Sequence, residues 1–181
     1  ALAEKYGAQV YDYDWHDDFS AARNHAISKT TGDWLTWLDA GDVLTASGRA
    51  RFIAIRAELE QYPDTPVNYI LGFLNRERDE HGNIKTQHLT PRLVKNTPTT
   101  SWQKPIHEAF VLEGAVPMID HDFTVDDPDG YSVASAERNL AILDGLLARN
   151  DEPVRNWVLR ATELEKLGRY EEAVAETERA H

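Results

Sequence analysis

A short apolar segment that ends in two carboxylates constrains the fold of this chain more than any other feature. The run from Trp34 to Leu38 is rich in aromatic residues, and Asp39 and Asp42 follow it. Such a run between turn-forming residues is typical of a buried β-strand. Because open α/β sheets bind ligands at the carboxyl ends of their strands, we expect both acids at a ligand-binding edge. Carboxylate oxygens suit Mg²⁺ and Mn²⁺, so the pair is a candidate metal site.

A helix is predicted just before this strand. Asp18 and Ser20 are residue types that cap helices, and the apolar residues after them keep helical spacing until the turn at 30–32. Arg23 and Asn24 lie within this helix. A guanidinium group binds phosphate through two parallel hydrogen bonds, so the arginine favours a phosphate held beside the metal.

The hydrophobic pattern divides the chain into an α/β body and a helical tail. In the body it predicts strands at 9–13, 68–76, 84–94, 106–111 and 116–125, a helix at 47–61, a hairpin turn at 80–83 and a loop at 96–104. In the tail it predicts helices at 135–149, at 153–167 and from 171 onward, with Ser135 as the first cap. We therefore expect two domains, 1–132 and 133–181.

The helical tail has the rhythm of one tetratricopeptide unit, a helix-turn-helix of about 34 residues. Small and aromatic residues fall at its characteristic positions, namely Trp157, Ala161, Leu164, Gly168, Tyr170, Ala173 and Ala180. A single unit cannot bury its apolar face alone, so it must pack on other helices or on a partner. A generic helical hairpin is the alternative interpretation.

Charge and composition exclude several classes of protein. The net charge of −12 at pH 7 argues against nucleic-acid binding, because phosphate backbones are bound by clusters of Lys and Arg. The sequence has no cysteine, which excludes disulfides and thiolate zinc sites. No apolar run approaches the roughly 20 residues that span a bilayer. We expect a cytoplasmic protein and leave a peripheral position at the membrane open.

Four segments carry a family resemblance. They are Asp-Asp-Phe-Ser-Ala-Ala-Arg-Asn at 17–24, Gly-Asp-Trp-Leu-Thr-Trp-Leu-Asp-Ala-Gly-Asp at 32–42, residues 92–96 with Ile-His-Glu at 106–108, and Arg-Asn-Leu at 138–140. Together they resemble the inverting family-2 glycosyltransferases, in particular a bacterial branch with tetratricopeptide repeats. The resemblance implies a Rossmann-like GT-A mixed sheet, a nucleotide-sugar donor such as a UDP-sugar, and a glycan, lipid or protein acceptor. It also implies Mg²⁺ or Mn²⁺ held by Asp39 and Asp42.

The resemblance assigns roles to further residues. Asp18, Arg23 and Asn24 would contact the donor nucleotide. The alternative for Arg23 is a surface salt bridge with Asp18 or Asp33, and the alternative for Asp18 is to orient Arg23 or only to cap the helix. An inverting transfer needs a general base that deprotonates the acceptor hydroxyl, and Glu108 matches the family position best. His107 would orient the acceptor, bind metal or replace Glu108 as the base. Just upstream, Trp102 would supply a stacking surface for the sugar, and Lys104 would supply a contact to phosphate. The alternative role of Trp102 is to anchor the hydrophobic core.

The sequence departs from the family pattern at two places. Gly41 stands where relatives carry an additional Asp, and the chain opens on the end of a helix without the first family strand. We expect an N-terminally truncated GT-A domain whose exposed sheet edge pairs with a second copy as a homodimer. The competing interpretations are a non-catalytic interaction module, in which the tail binds a protein partner, and, with less support, a metal-dependent phosphohydrolase.

Overall fold

The computed structural model describes residues 2–78, 80–128 and 132–180. Its helices are α1 Leu2–Lys5, α2 Phe19–Ile27, α3 Ala46–Gln61, α4 Val133–Ala148, α5 Pro153–Lys166 and α6 Tyr170–Arg179. Its strands are β1 Trp34–Thr36, β2 Val43–Leu44, β3 Tyr69–Arg78, β4 Ile84–Lys95, β5 Ser101–Gln103, β6 Ala109–Val111 and β7 Pro117–Asp127. Of the helices in these ranges, none combines the length and apolar character needed to cross a membrane.

The described residues form two compact units that interleave along the sequence. The first contains residues of 2–31, 101–111 and 133–180, and the second contains the described residues of 32–100 and 112–132. This division differs from the predicted boundary at residue 132, because the tail helices share a unit with α2 and the β5–β6 segment. The cause is packing between elements distant in sequence, which local composition does not report.

The second unit is built around a mixed five-stranded sheet in the order β1-β4-β3-β7-β2. Strands β3 and β7 are parallel, and the other neighbouring pairs are antiparallel. Helix α3 covers the sheet and contributes Ile55 to a core that contains Ile70, Leu93, Phe123 and Val125. The predicted mixed α/β class is therefore confirmed, and the hairpin predicted around residues 80–83 corresponds to the antiparallel pair β3–β4.

The first unit combines helices with a two-stranded ribbon. Helix α2 begins after Asp18, whose carboxylate accepts a hydrogen bond from the Ala21 amide and caps the helix as predicted. Strands β5 and β6 pair antiparallel, and α5 packs against both α4 and α6. Its apolar core joins Ile106, just before β6, to the buried face of α4, which contributes Ile142, Leu143 and Leu146.

Some elements differ from the prediction. Residues 9–13 form no strand, because a β ladder needs a neighbouring strand and none pairs with this segment in the described structure. The predicted loop at 96–104 contains β5, which carries Trp102. The strand predicted from residue 106 begins only at Ala109, because His107 has a φ of +47°. Helix α4 begins at Val133, before the predicted cap Ser135.

Candidate functional site

The β1–β2 loop carries the two acidic residues predicted to bind metal. The Asp42 amide donates to the Asp39 carbonyl at 3.0 Å, and the Asp39 amide donates to Asp42 Oδ2 at 3.0 Å. Between them Gly41 has a φ of +96°, a conformation that suits glycine. Gly41 therefore closes this turn, which gives a conformational reason for glycine at the position where the resemblance leads us to expect an acid.

Asp42 forms a buried ion pair with Arg92 of β4. Arg92 Nη1 lies 3.4 Å from Asp42 Oδ2, and the two side chains are only 3% and 4% exposed. Arg92 is the extra residue of a β-bulge, because Ile70 pairs with Leu93 while Leu71 pairs with Pro91. A bulge re-aims the side chain of its extra residue, and here it allows the guanidinium to reach Asp42.

A glycine on the neighbouring strand makes room for the Arg92 side chain. A Cβ atom at Gly72 would lie 3.2 Å from Arg92 Cγ and 2.6 Å from the Phe123 carbonyl oxygen. Only a residue without a side chain fits this close approach. The ion pair is thus supported by a bulge in β4 and a glycine in β3, neither of which the sequence patterns indicated.

Asp39 and Asp42 fit a divalent cation as part of its coordination. Asp39 is exposed, whereas Asp42 already uses Oδ2 for Arg92 and the Asp39 amide. Within the described ranges no three residues of the His, Cys, Asp and Glu types are grouped to hold a metal by themselves. Mg²⁺ usually keeps several waters and binds one or two carboxylates together with substrate phosphates. The donor set suits that arrangement rather than a closed protein cage.

In the other unit, Arg23 of α2 and Glu108 are brought together. Arg23 Nε donates to Glu108 Oε1 at 2.6 Å, and their side chains are 23% and 14% exposed. The Arg23 guanidinium carbon also lies 4.7 Å from the centre of the Trp102 ring. The family resemblance implies separate donor, base and sugar contacts for Arg23, Glu108 and Trp102. The structure brings the three residues into one cluster through charge-assisted and cation–π contacts of Arg23, and their predicted roles stay predictions.

Asn24 binds the backbone of β5. Its Nδ2 donates to the Trp102 carbonyl at 2.8 Å, and the Trp102 amide donates to Asn24 Oδ1 at 2.8 Å. The amide group therefore continues the hydrogen-bond pattern of a strand and fixes β5 against α2. Phe110 of β6 contacts the Trp102 ring edge-on, with a centroid distance of 5.1 Å. The predicted donor contact of Asn24 and the predicted sugar contact of Trp102 stay predictions.

The loop between β5 and β6 carries Lys104, His107 and Glu108. Lys104 and His107 have φ values of +77° and +47°, which L residues rarely adopt. The Lys104 ammonium pairs with Glu152 at the start of α5. His107 Nε2 lies 2.9 Å from Glu163 Oε1 of the same helix. Lys104 thus pairs with the residue that precedes α5, and His107 contacts a residue of α5 itself.

Glu163 is a buried acid that no motif in the sequence indicates. Its side chain is 0% exposed, and Lys166 Nζ is its second partner at 2.9 Å. Burial acts to raise the pKa of Glu163, but the hydrogen bonds from His107 and Lys166 outweigh it and lower that pKa below its ordinary value. The sequence did contain a signal for this buried acid. Glu163 lies on the same face of α5 as Asn156 and Leu164, and positions on the buried face of a helix are ordinarily apolar.

The predicted site residues fall in both units. Asp39 and Asp42 belong to the second, whereas the remaining predicted site residues, Asp18, Arg23, Asn24, Trp102, Lys104, His107 and Glu108, belong to the first. Within the first unit Asp18 caps α2, Arg23 contacts both Glu108 and Trp102, and Asn24 binds the backbone of Trp102. Three further polar residues contact these clusters and were not predicted from the sequence, namely Arg92, Arg155 and Glu163.

Comparisons with known proteins support part of the resemblance. Residues 1–53 match the family model described as glycosyl transferase family 2. A TPR repeat-containing protein of Synechococcus elongatus is 38% identical over 108 residues, which are 60% of this chain and 25% of that protein. The chain thus spans about a quarter of the length of the curated relative. The matched segment 1–53 includes α2 and the loop with Asp39 and Asp42.

Proposed function

We propose that this chain is part of an inverting glycosyltransferase that moves a sugar from a nucleotide-sugar donor, such as a UDP-sugar, to an acceptor hydroxyl. The match of residues 1–53 to the glycosyl transferase family 2 model carries this proposal. That segment contains the carboxylates of the β1–β2 loop and the arginine of α2, which are the residue types needed for a metal and a diphosphate. The acceptor would be a glycan, a lipid carrier or a protein.

The carboxylates would serve the donor. Asp39 and Asp42 would hold Mg²⁺ or Mn²⁺, and Asp42 would also fix the loop through its pair with Arg92. When bound, such an ion neutralises the negative charge that develops on the leaving diphosphate. Because the Asp42 carboxylate is already bonded inside the protein, Asp39 is the ligand whose loss would weaken metal binding without disturbing that pair.

Glu108 would act on the acceptor. Its carboxylate would take the proton of the acceptor hydroxyl as the acceptor oxygen attacks the anomeric carbon, and the bond from that carbon to the diphosphate oxygen would break. A single displacement of this kind inverts the anomeric configuration. Arg23 would hold Oε1 of the base in a fixed direction through its 2.6 Å contact. His107 remains the alternative base.

The test is calorimetric titration of the full-length protein with UDP-sugars and other nucleotide-sugars, with and without Mn²⁺. We expect heat that depends on the metal and disappears in Asp39→Asn. Asp33→Asn, a neutralised exposed carboxylate six residues upstream, serves as the matched control and should bind normally. Absence of metal-dependent binding to any donor would contradict the proposal.

A second proposal is a non-catalytic interaction module that binds a protein through its helical tail. The presence of Gly41 favours it, as does the similarity to a TPR repeat-containing protein. Helices α5 and α6 are connected through Gly168, whose φ of +73° suits a tight helix-turn-helix. Normal donor binding with no transfer in the full-length protein would favour this function.

Cytoplasmic location and homodimer formation through the sheet edge stay part of the proposal, and size-exclusion chromatography with light scattering would test the dimer.

A further inference from the structure

Helix α5 contacts the loop that carries Glu108 through several polar groups. Glu152 pairs with Lys104, and Glu163 contacts the His107 ring. Arg155 Nη2 donates to the carbonyls of Ile106 at 2.9 Å and His107 at 3.0 Å. These contacts reach side chains and backbone along the loop, so α5 acts as its support.

We propose that α5 is a positioning element for sugar transfer, and that Arg155 and Glu163 are positioning residues that set the direction of Glu108. The inference rests on the proposed function of Glu108 as the base. It gives the helical tail a task inside the enzyme, beside any partner that the tail binds.

The loop needs such support because its own conformation is unfavourable. Lys104 and His107 both have positive φ values, and non-glycine residues persist in that region only where the surroundings enforce it. The ribbon that bears the loop is short, since β5 and β6 contain three residues each, so it supplies few backbone hydrogen bonds of its own to hold residues 104–108. Ile106 adds an apolar anchor by packing on Ile142 and Leu143 of α4.

Glu163 has the features of a residue kept for positioning. A carboxylate with no exposed surface is costly unless it is fully bonded, and Glu163 Oε2 has no hydrogen-bond partner among the described residues. An apolar side chain would satisfy packing alone at this position. What the carboxylate adds is a fixed acceptor for His107 Nε2. Glu108 follows His107 directly in the sequence. Glu163 holds the His107 ring and Arg155 holds the His107 carbonyl, so together they hold the backbone next to Glu108. Arg23 holds the Glu108 carboxylate itself.

The experiment compares Glu163→Leu with Glu163→Gln in the full-length protein. Leucine removes the carboxylate without leaving a buried charge, because Lys166 and His107 are 33% and 36% exposed and reach water. Glutamine keeps an oxygen that accepts from His107. Glu165→Leu, an exposed glutamate on the same helix, is the matched control.

Two measurements are made on each variant. The first is release of UDP from UDP-glucose, UDP-galactose and UDP-N-acetylglucosamine with Mn²⁺ and with water as the acceptor, whose proton Glu108 would take as it takes that of an acceptor hydroxyl; it yields kcat and the KM for the donor. The second is hydrogen–deuterium exchange of residues 104–108 and of α4 and α5. A displacement of about 1 Å in a reacting group costs up to about 100-fold in rate. We therefore expect Glu163→Leu to lower kcat about 10- to 100-fold, with the donor KM within about 2-fold of wild type.

Exchange should rise in residues 104–108 of Glu163→Leu while α4 and α5 stay protected. Glu163→Gln should retain most of the activity, and Glu165→Leu should match wild type. An unchanged kcat in Glu163→Leu would overturn the positioning role, and so would a loss of protection that extends through α4 and α5. If wild type releases no UDP from these donors, the inference fails; the proposed function fails as well only if the calorimetric titration shows no metal-dependent binding of any nucleotide-sugar.

Discussion

Replacing Asp42 by asparagine removes one charge of a buried ion pair and keeps the shape of the side chain. At the 3.4 Å separation of Arg92 Nη1 and Asp42 Oδ2, two unit charges attract by about 5 kcal/mol at an effective dielectric constant of about 20. Part of that attraction offsets the cost of removing both charges from water. Losing one partner of a buried pair typically costs about 3–5 kcal/mol, because the other charge stays buried.

We expect a value near the lower end of that range for Asp42→Asn. The 3.4 Å contact is long for a charge-assisted hydrogen bond, and the asparagine oxygen still accepts from the Asp39 amide. The free energy of unfolding should fall by about 3 kcal/mol. With a slope of about 2 kcal/mol per molar urea, the unfolding midpoint should drop by about 1.5 M.

The assay is urea unfolding at pH 7, followed by tryptophan fluorescence and circular dichroism. Asp33→Asn is the control, since its exposed carboxylate should change stability by less than about 0.5 kcal/mol. The double variant Asp42→Asn/Arg92→Met should recover about 2 kcal/mol of the summed single losses, because the direct charge–charge contact between the two side chains is then removed from both sides. A loss below about 1 kcal/mol in Asp42→Asn, or strict additivity in the double variant, would refute the buried-pair argument.

Three further predictions concern other parts of the chain. Gly48→Ala in α3 should destabilise the protein by about 1–3 kcal/mol, since the added Cβ would lie 2.1 Å from a β7 carbonyl oxygen. Gly145→Ala in α4 has space for the added Cβ and should stabilise the protein by up to about 1 kcal/mol. Thermal melts of the two variants test this difference. Asn24→Ala should cost about 1–3 kcal/mol, because it removes the hydrogen bonds of Asn24 to the amide and the carbonyl of Trp102; a loss below about 0.5 kcal/mol in urea unfolding would contradict this. Acid unfolding should depend on Glu163, whose burial acts to raise its pKa while hydrogen bonds from its two basic neighbours lower it overall. A lowered folded-state pKa adds stability that is present above the unfolded value of about 4.3 and is lost as pH falls through the folded value. Urea midpoints measured from about pH 5 down to about pH 2 should therefore fall less steeply in Glu163→Gln than in wild type.

Local patterns in the sequence predicted many individual elements. The aromatic run at Trp34 begins a strand, the capping residue Asp18 begins a helix, and the apolar spacing in the tail marks α4 and α5. These predictions succeed because helical and strand periodicity depends on residues within one or two turns of each other. The strand predicted at 9–13 failed because a strand also needs a neighbour, which periodicity does not supply.

The contacts within the candidate site were decided by tertiary structure. Arg23 and Glu108 are 85 residues apart in sequence, Asp42 and Arg92 are 50 apart, and His107 and Glu163 are 56 apart. No local pattern pairs such residues.

The sequence by itself determined which residue types are present and which short segments are helix or strand, because both follow from local chemistry. Only the tertiary structure decided which charges meet and which are buried. The strength of an ion pair depends on its distance and its access to water, and packing alone sets both.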